Sequence, residues 1–163
     1  MKTADVIIIG SGAAGLFNAL FLPQDYKVIV ITKKTVEESD SFLAQGGISA
    51  LKNPEDYDSY FEDTMKAGHY ENDKGAVEKM IKESPQIIQD LKDFGVRFDL
   101  KDGEIEFTRE GGHSTFRILH HEDLTGKEIT SHLYEEAKKR DNITIMENCM
   151  MIDIIEKDGE CKG

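Results

Sequence analysis

The sequence has no tryptophan and only two cysteines among its 163 residues. The cysteines, Cys149 and Cys161, form neither a metal-ligand nor a redox spacing, and we expect both to be incidental in a reducing, cytoplasmic protein. No apolar run approaches the roughly 18 residues that a membrane span requires, and no signal-peptide pattern precedes the first strand pattern.

Basic residues are also scarce. Lysine and arginine number 20 against 32 acidic residues, which gives a net charge of -12. This charge argues against nucleic acid or an anionic membrane as a partner. The hydrophobic fraction of 39% and the charged fraction of 32% are ordinary for a globular chain with one buried core.

The sequence near its start predicts a β-α-β unit. Val6–Ile9 is a β-branched run typical of a strand buried on both faces. A helical stretch over Ala13–Leu22 follows and ends at Pro23, and a second β-branched run covers Val28–Ile31. The turn between the first strand and the helix carries the spacing G-x-G-x-x-G.

Each glycine of this turn has a physical role. Gly10 permits the bend, Gly12 lets a pyrophosphate approach the backbone, and Gly15 lets helix and strand pack closely. The helix N-terminus offers free N–H groups to phosphate. The pattern predicts a dinucleotide site, and the alternative is a tight turn without a ligand. Thr32 and Lys33 replace the acidic residue expected after the second strand, so FAD, NAD and NADP remain alternatives.

Two further loops each carry a pair of glycines. The segment "SDSFLAQGGISA", residues 39–50, contains Gln45, Gly46 and Gly47, and "FTREGGHSTFRILHHEDLTGKEI" spans residues 107–129. Glycine pairs among polar side chains indicate close backbone approach to a planar ligand. A substrate site and plain glycine turns are the two interpretations.

Taken together, "GSGAAGL", "AQGGISA" and "TREGGHS…RILH…D…TG" resemble the L-aspartate oxidases, flavoenzymes of the succinate dehydrogenase/fumarate reductase flavoprotein family. The resemblance begins near Asp5 and follows the family's order and spacing to the end of the chain. It implies an α/β fold, a Rossmann-like FAD-binding domain with a parallel sheet and flanking helices. It also implies non-covalent FAD and oxidation of L-aspartate to iminoaspartate for quinolinate and NAD synthesis, with oxygen or fumarate as electron acceptor.

The resemblance also implies which residues contact FAD. Lys33 would lie near the adenosine ribose, and Met150 and Met151 would pass the adenine. The remaining cofactor residues would line the pyrophosphate and the flavin: Gly10, Ser11, Gly12, Ala13, Ala14, Gly15, Asp40, Ser41, Phe42, Leu43, Ala44, Gln45, Gly46 and Gly47.

Two positions separate the subgroups of this family. Succinate dehydrogenases and fumarate reductases carry a flavin-linking histidine where this chain has Asp40, and an apolar residue where it has Glu110. A carboxylate at Glu110 would pair with the ammonium of aspartate and assist its deprotonation. The alternative for Glu110 is a solvated loop residue.

The nearby histidines and Arg117 are less informative. We assign His113, with Glu110, to the catalytic site as a residue that faces flavin or substrate. His120 and His121 precede Glu122 and Asp123, but no second ligand set is evident, and we predict no metal. Arg117 binds either a substrate carboxylate or an acidic loop.

The rest of the chain is predicted to be scaffold. Helices are expected over Tyr57–Ala67, Ala76–Glu83, Pro85–Phe94 and from a capping box at Thr125–Glu128 to about Arg140. Strands are expected over Val96–Leu100 and Glu104–Phe107 around Asp102-Gly103, over Ile143–Met146, and over Met150–Glu156 before a turn at Asp158-Gly159.

The resemblance implies that residues 1–163 are the N-terminal part of an FAD-binding domain, without the capping and C-terminal domains. We therefore expect this segment to be inactive alone and to bind FAD weakly. Two alternatives stay open for function. One is the same segment of a soluble fumarate reductase or succinate dehydrogenase flavoprotein, and the other is a nucleotide-binding module without catalysis.

Overall fold

A computed structural model describes residues 3–163, and the chain forms two compact units. The first unit combines residues up to Leu43 with Thr130–Gly163, and the second is Ala44–Ile129. Across residues 3–163, no helix has the length and apolar character needed to cross a membrane.

Strands and helices are interspersed along the chain. The strands are β1 (Val6–Ile9), β2 (Val28–Ile31), β3 (Ile48–Ser49), β4 (Leu100–Lys101), β5 (Glu104–Ile105), β6 (Phe107–Thr108), β7 (Ile118–Leu119), β8 (Ile143–Met146), β9 (Glu156–Lys157) and β10 (Glu160–Cys161). The helices are α1 (Ala13–Phe21), α2 (Asp40–Leu43), α3 (Tyr57–Ala67), α4 (Lys74–Asp93) and α5 (Thr125–Lys138), with 3₁₀ turns at Val36–Glu38 and Pro54–Asp56.

The first unit is built on a parallel sheet with the strand order β1-β2-β8. Helix α1 joins the first two strands, which confirms the predicted β-α-β unit, and β8 is the strand predicted over Ile143–Met146. Its core is formed by Ala19 of α1 with Val28 and Val30 of β2, and Ile8 packs against them. The chain therefore has the predicted α/β fold with a parallel sheet and flanking helices.

The prediction that β1 is buried on both faces was wrong. Ile7 and Ile9 are 48% and 55% exposed, whereas Ile8 packs against the core. Strand β1 lies at an edge of the described sheet, and side chains alternate between its faces. In residues 3–163, the face of the sheet that carries Ile8 is therefore covered by the core, whereas the face that carries Ile7 and Ile9 is exposed to solvent.

The second unit combines two helices with a small antiparallel sheet. Strand β7 is central and pairs with β3 and β6. Tyr60 and Met65 of α3 pack with Val77 and Ile81 of α4 to form the core between the helices. The apolar residues of β7, Ile118 and Leu119, are both buried.

Helix α4 is one helix where two were predicted, because Pro85 lies inside it and does not begin a new one. A proline at this position removes the N–H that would bond to the carbonyl of Ile81. The hydroxyl of Ser84 donates to that carbonyl at 2.7 Å and replaces the lost bond. The helix continues, and its apolar side stays in the core.

Both predicted hairpin turns are present, but their strands are shorter than predicted. Asp102-Gly103 and Asp158-Gly159 all have positive φ, the conformation that a two-residue hairpin turn requires. Phe107 leaves the first hairpin to pair with Leu119 of β7, so β5 ends early. In the second hairpin, the backbone N–H of Ile155 donates to the carbonyl of Gly163. Before Ile155, the strand predicted from Met150 forms no strand pairing in the described structure.

Both residues of the capping box predicted for α5 have hydrogen-bond partners outside that box. Thr125 is already the first helical residue, and its hydroxyl accepts from the backbone N–H of His121 at 3.1 Å. The Glu128 carboxylate accepts instead from the backbone N–H of Arg97 at 3.0 Å. The helix ends at Lys138, two residues before the predicted end.

Candidate functional site

A cleft of about 460 Å³ lies at the carboxyl ends of β1 and β2 in the first unit. Ligands of parallel α/β sheets bind at this edge. The cleft is lined by eight of the predicted cofactor residues, namely Gly10, Ser11, Gly12, Lys33, Asp40, Ser41, Met150 and Met151. The sheet thus places residues from three separate segments of the sequence around one concave surface.

The other predicted cofactor residues lie elsewhere. Ala13, Ala14 and Gly15 form the first turn of α1, and Phe42 and Leu43 end the short helix α2. Ala44, Gln45, Gly46 and Gly47 begin the second unit.

The turn before α1 depends on its glycines. Gly10 has a φ of +108°, which side chains rarely allow. A Cβ on Gly15 would lie 2.1 Å from the carbonyl oxygen of Gly10, so the helix could not close on the turn. A Cβ on Gly12 would lie 2.8 Å from the hydroxyl of Ser41.

Ser11 provides the clearest sign that this cleft receives a polar ligand. Its side chain is 1% exposed, and in residues 3–163 its hydroxyl has no hydrogen-bond partner. A buried hydroxyl without a partner is costly. The N-terminus of α1 lies beside it, with no acidic residue in the first turn. These donors fit the pyrophosphate of a dinucleotide.

The Gly15→Ala variant is expected to lose FAD affinity and about 1–3 kcal/mol of stability, because the added methyl group overpacks the turn. Gly75→Ala is a suitable control, since its Cβ would meet only the end of the Asp73 side chain at 3.3 Å. Isothermal titration with FAD and urea unfolding of both variants are the measurements. Equal behaviour of the two variants would contradict this role for Gly15.

In the second unit, Glu110 contacts the first glycine pair. Its Oε1 accepts from the backbone N–H of Gly47 at 2.9 Å. A Cβ on Gly46 would lie 3.5 Å from the other carboxylate oxygen, Oε2. Gly47 itself has no room for a side chain, because a Cβ there would lie 2.3 Å from Ile118. Two loops that are 63 residues apart in sequence therefore meet at the Glu110 carboxylate.

Arg117 lies in an acidic cluster. This favours the prediction that it binds an acidic segment of the protein over the prediction that it binds a substrate carboxylate. Its side chain is fully buried and donates to both carboxylate oxygens of Asp56, at 2.8 and 2.9 Å. It also donates to Asp63 at 2.6 Å and to the hydroxyl of Ser59 at 2.7 Å. The guanidinium lies 4.8 Å from the ring centre of Tyr60. We refer to Asp56, Ser59, Asp63 and Arg117 as the arginine anchor.

The arginine anchor also holds the second glycine loop. Asp63 accepts from the backbone N–H and the hydroxyl of Ser114, at 2.7 and 2.8 Å. Thr115 donates to Asp56 at 2.8 Å. The two residues that follow this loop, Ser114 and Thr115, are thereby tied to helix α3 and to the turn before it. No motif in the sequence pointed to Asp56 or Asp63.

The arginine anchor shifts the acidities of its carboxyl groups. Hydrogen bonds from Arg117 are the main cause that lowers the pKa of Asp56 to about 2. Burial acts to raise the pKa of Asp63, but hydrogen bonds from Ser114 and Arg117 outweigh it, and the net pKa is lowered. Burial raises the pKa of Tyr60, whose hydroxyl lies 2.6 Å from that of Ser49. Both aspartates are therefore ionised at neutral pH.

His120 and His121 face one carboxylate. Their Nδ1 atoms lie 3.1 and 3.3 Å from the two oxygens of Asp99. Among residues 3–163, no group of three or more histidine, cysteine, aspartate or glutamate side chains could hold a metal ion.

Solved structures share this fold. A variant of the quinol fumarate reductase of Escherichia coli is 25% identical, with a TM-score of 0.90 over 97% of this chain and 28% of that one. The Mycobacterium smegmatis protein Sdh1, in complex with UQ1, is 29% identical, with a TM-score of 0.85 over 98% of this chain and 30% of that one.

Curated relatives are more similar in sequence. The L-aspartate oxidase of Clostridium acetobutylicum is 47% identical over 98% of this chain, and that of Clostridium perfringens is 43% identical over 99%. This chain spans 37% of the length of each. A family model described as an FAD binding domain matches residues 5–163. The cleft at the glycine turn and these matches lead to one conclusion, that the chain belongs to the FAD binding domain family and that its cofactor is FAD.

Proposed function

We propose that the complete protein oxidises L-aspartate to iminoaspartate, the reaction that supplies quinolinate for NAD synthesis. The observation that carries this proposal is the Glu110 carboxylate, which is held against Gly46 and Gly47 within the glycine loops that resemble those of the L-aspartate oxidases. The names of the curated relatives support it. Oxygen or fumarate would be the electron acceptor.

The cleft of the first unit would hold the adenosine diphosphate part of FAD. Ser11 would donate to the pyrophosphate, because its hydroxyl otherwise has no partner in the described structure, and the backbone N–H of Gly12 at the start of α1 would donate beside it. Lys33 would lie near the ribose and Met150 and Met151 near the adenine. Gln45, Gly46 and Gly47 would contact the flavin through their backbone.

Glu110 would bind the substrate ammonium. Its Oε1 accepts from Gly47, and its Oε2 could accept a charge-assisted hydrogen bond from the ammonium. Loss of a proton from that nitrogen must accompany formation of the imine, and the carboxylate would receive it. When bound, FAD supplies the two-electron oxidation.

The main test is oxygen consumption by the complete protein with L-aspartate, with succinate as the matched substrate that lacks an amino group. We expect turnover with L-aspartate and much slower turnover with succinate. Preference for succinate would favour the second candidate, a soluble fumarate reductase or succinate dehydrogenase flavoprotein. The similarity to the fumarate reductase of Escherichia coli is the observation that favours this candidate.

FAD is expected to leave the complete protein intact on acid or heat precipitation. Asp40, which lines the cleft, stands where the resemblance places the flavin-linking histidine, and a carboxylate cannot form that link. Absorbance of the supernatant and pellet after precipitation with acid is the measurement. Yellow colour that stays with the precipitated protein would contradict a non-covalent cofactor.

A further inference from the structure

The contact between Arg117 and His113 determines which imidazole nitrogen carries the proton. Nη1 of Arg117 lies 3.1 Å from Nδ1 of His113. A guanidinium has no acceptor and remains protonated in proteins, so Arg117 must donate and Nδ1 must accept. A neutral imidazole has one donor and one acceptor, which places the proton of His113 on Nε2.

The arginine anchor keeps this arrangement in place. Arg117 cannot turn away from His113 without leaving Asp56 and Asp63 unpaired, and its side chain is fully buried. Ser114, the next residue, is bonded to Asp63 through its backbone and its hydroxyl. The ring of Tyr60 meets the imidazole edge-on, with a centroid distance of 6.2 Å. The ring of His113 is therefore held from several sides.

The other nitrogen has no such partner. Within the described residues, the hydrogen bond of the imidazole is the one at Nδ1. His113 is half-buried and lines two adjoining clefts of the second unit, of about 470 and 240 Å³, beside Gly111 and Gly112. A fixed imidazole with a free N–H beside two glycines is suited to donate to a ligand that approaches the backbone.

We propose that His113 acts as a neutral hydrogen-bond donor, whose Nε2–H binds an acceptor oxygen of the bound ligand, and that it does not act as a base. This inference rests on the proposed function for the identity of the ligand. The acceptor is either a carboxylate oxygen of the dicarboxylate substrate or a carbonyl oxygen of the flavin ring. Both present the same chemistry to the imidazole, and variants of His113 separate them.

The tautomer can be measured without turnover. Nitrogen-15 NMR of the histidine rings in the complete protein distinguishes protonated from unprotonated nitrogen, and comparison with His113→Asn assigns the signals. We expect a protonated Nε2 and an unprotonated Nδ1 at neutral pH. A proton on Nδ1, or on both nitrogens, would overturn the proposal even if L-aspartate proves not to be the substrate.

Two variants test the donor role. The amide of His113→Gln places an N–H near the position of Nε2, whereas the amide of His113→Asn reaches only the position of Nδ1. We expect His113→Gln to retain most of kcat/KM for L-aspartate and His113→Asn to lose about ten- to a hundredfold. Equal losses in both variants would indicate a base and would overturn the proposal.

The same variants identify the acceptor. A substrate carboxylate predicts a higher KM for L-aspartate in His113→Asn, with an unchanged flavin spectrum and reduction potential. A flavin carbonyl predicts a shifted flavin spectrum or reduction potential in the substrate-free His113→Asn protein, and His113→Gln should restore the wild-type value.

If wild-type protein does not oxidise L-aspartate, the proposed function fails, whereas the NMR result and the flavin spectrum still test His113. Wild-type values of KM, spectrum and potential in His113→Asn would overturn the donor role.

Discussion

Replacing Glu110 with leucine in the complete protein is expected to lower kcat/KM for L-aspartate oxidation by about ten- to a hundredfold. One lost charge-assisted hydrogen bond is worth about 1.5–3 kcal/mol. Fumarate has no ammonium group, so its reduction by the reduced enzyme should change little. Steady-state rates with L-aspartate and with fumarate are the measurements.

A glutamine variant separates the charge from the structural contact. In Glu110→Gln, the side-chain oxygen can still accept from the N–H of Gly47, but the negative charge is absent. We expect this variant to lose L-aspartate oxidation while its glycine loops stay in place. Glu104→Leu, which changes an exposed glutamate of the β4-β5 hairpin, serves as the control and should resemble wild type. If Glu110→Leu lowers both activities equally, Glu110 has a general structural role.

Replacing Arg117 with methionine is expected to destabilise the protein by about 3–5 kcal/mol, because it leaves Asp56 and Asp63 as uncompensated charges in a buried cluster. Urea unfolding at neutral pH measures this loss. The control is Lys82→Met, which removes the exposed ion pair with Glu78 and should leave the urea midpoint close to that of wild type. Similar losses for the two variants would show that the arginine anchor contributes no more than a surface pair.

The arginine anchor also predicts how stability depends on pH. Folding lowers the pKa of Asp56 from 3.8 to about 2, so its stabilisation is complete above the unfolded value and is lost as the pH falls through about 2. The shift corresponds to about 2 kcal/mol. Arg117→Met removes the main cause of the shift and should flatten the stability profile in this range. Urea midpoints measured from pH 5 to pH 2, in steps of about half a unit, test this expectation. An unchanged slope in the variant would exclude Arg117 as the cause.

Local patterns predicted the part of the fold that depends on neighbouring residues. The run Val6–Ile9, the glycine turn and the helix after it are consecutive in the sequence, and each restricts the backbone of the next. The Asp-Gly turns were predictable for the same reason, since they depend on two adjacent residues with positive φ.

The wrong predictions concern features that depend on distant residues. Pro85 is a helix-starting signal by itself, but Ser84 compensates for its missing donor and the α4 side chains stay packed against α3. Burial of Ile7 and Ile9 depends on what covers the sheet, and a hydrophobic run carries no such information. Thr125 and Glu128 have the spacing of a capping box, but the Glu128 carboxylate accepts from the backbone N–H of Arg97, which is 31 residues away.

For the candidate site, the sequence alone determined the glycine turn between β1 and α1, because its glycines act on the backbone next to them. It also proposed Glu110 and His113 as catalytic residues, through a resemblance carried by the residues around them. Only the tertiary structure decided what these side chains contact: Glu110 the N–H of Gly47, and His113 the guanidinium of Arg117. These contacts join segments far apart in the chain, and the direction of a hydrogen bond is set by the partner that folding brings there.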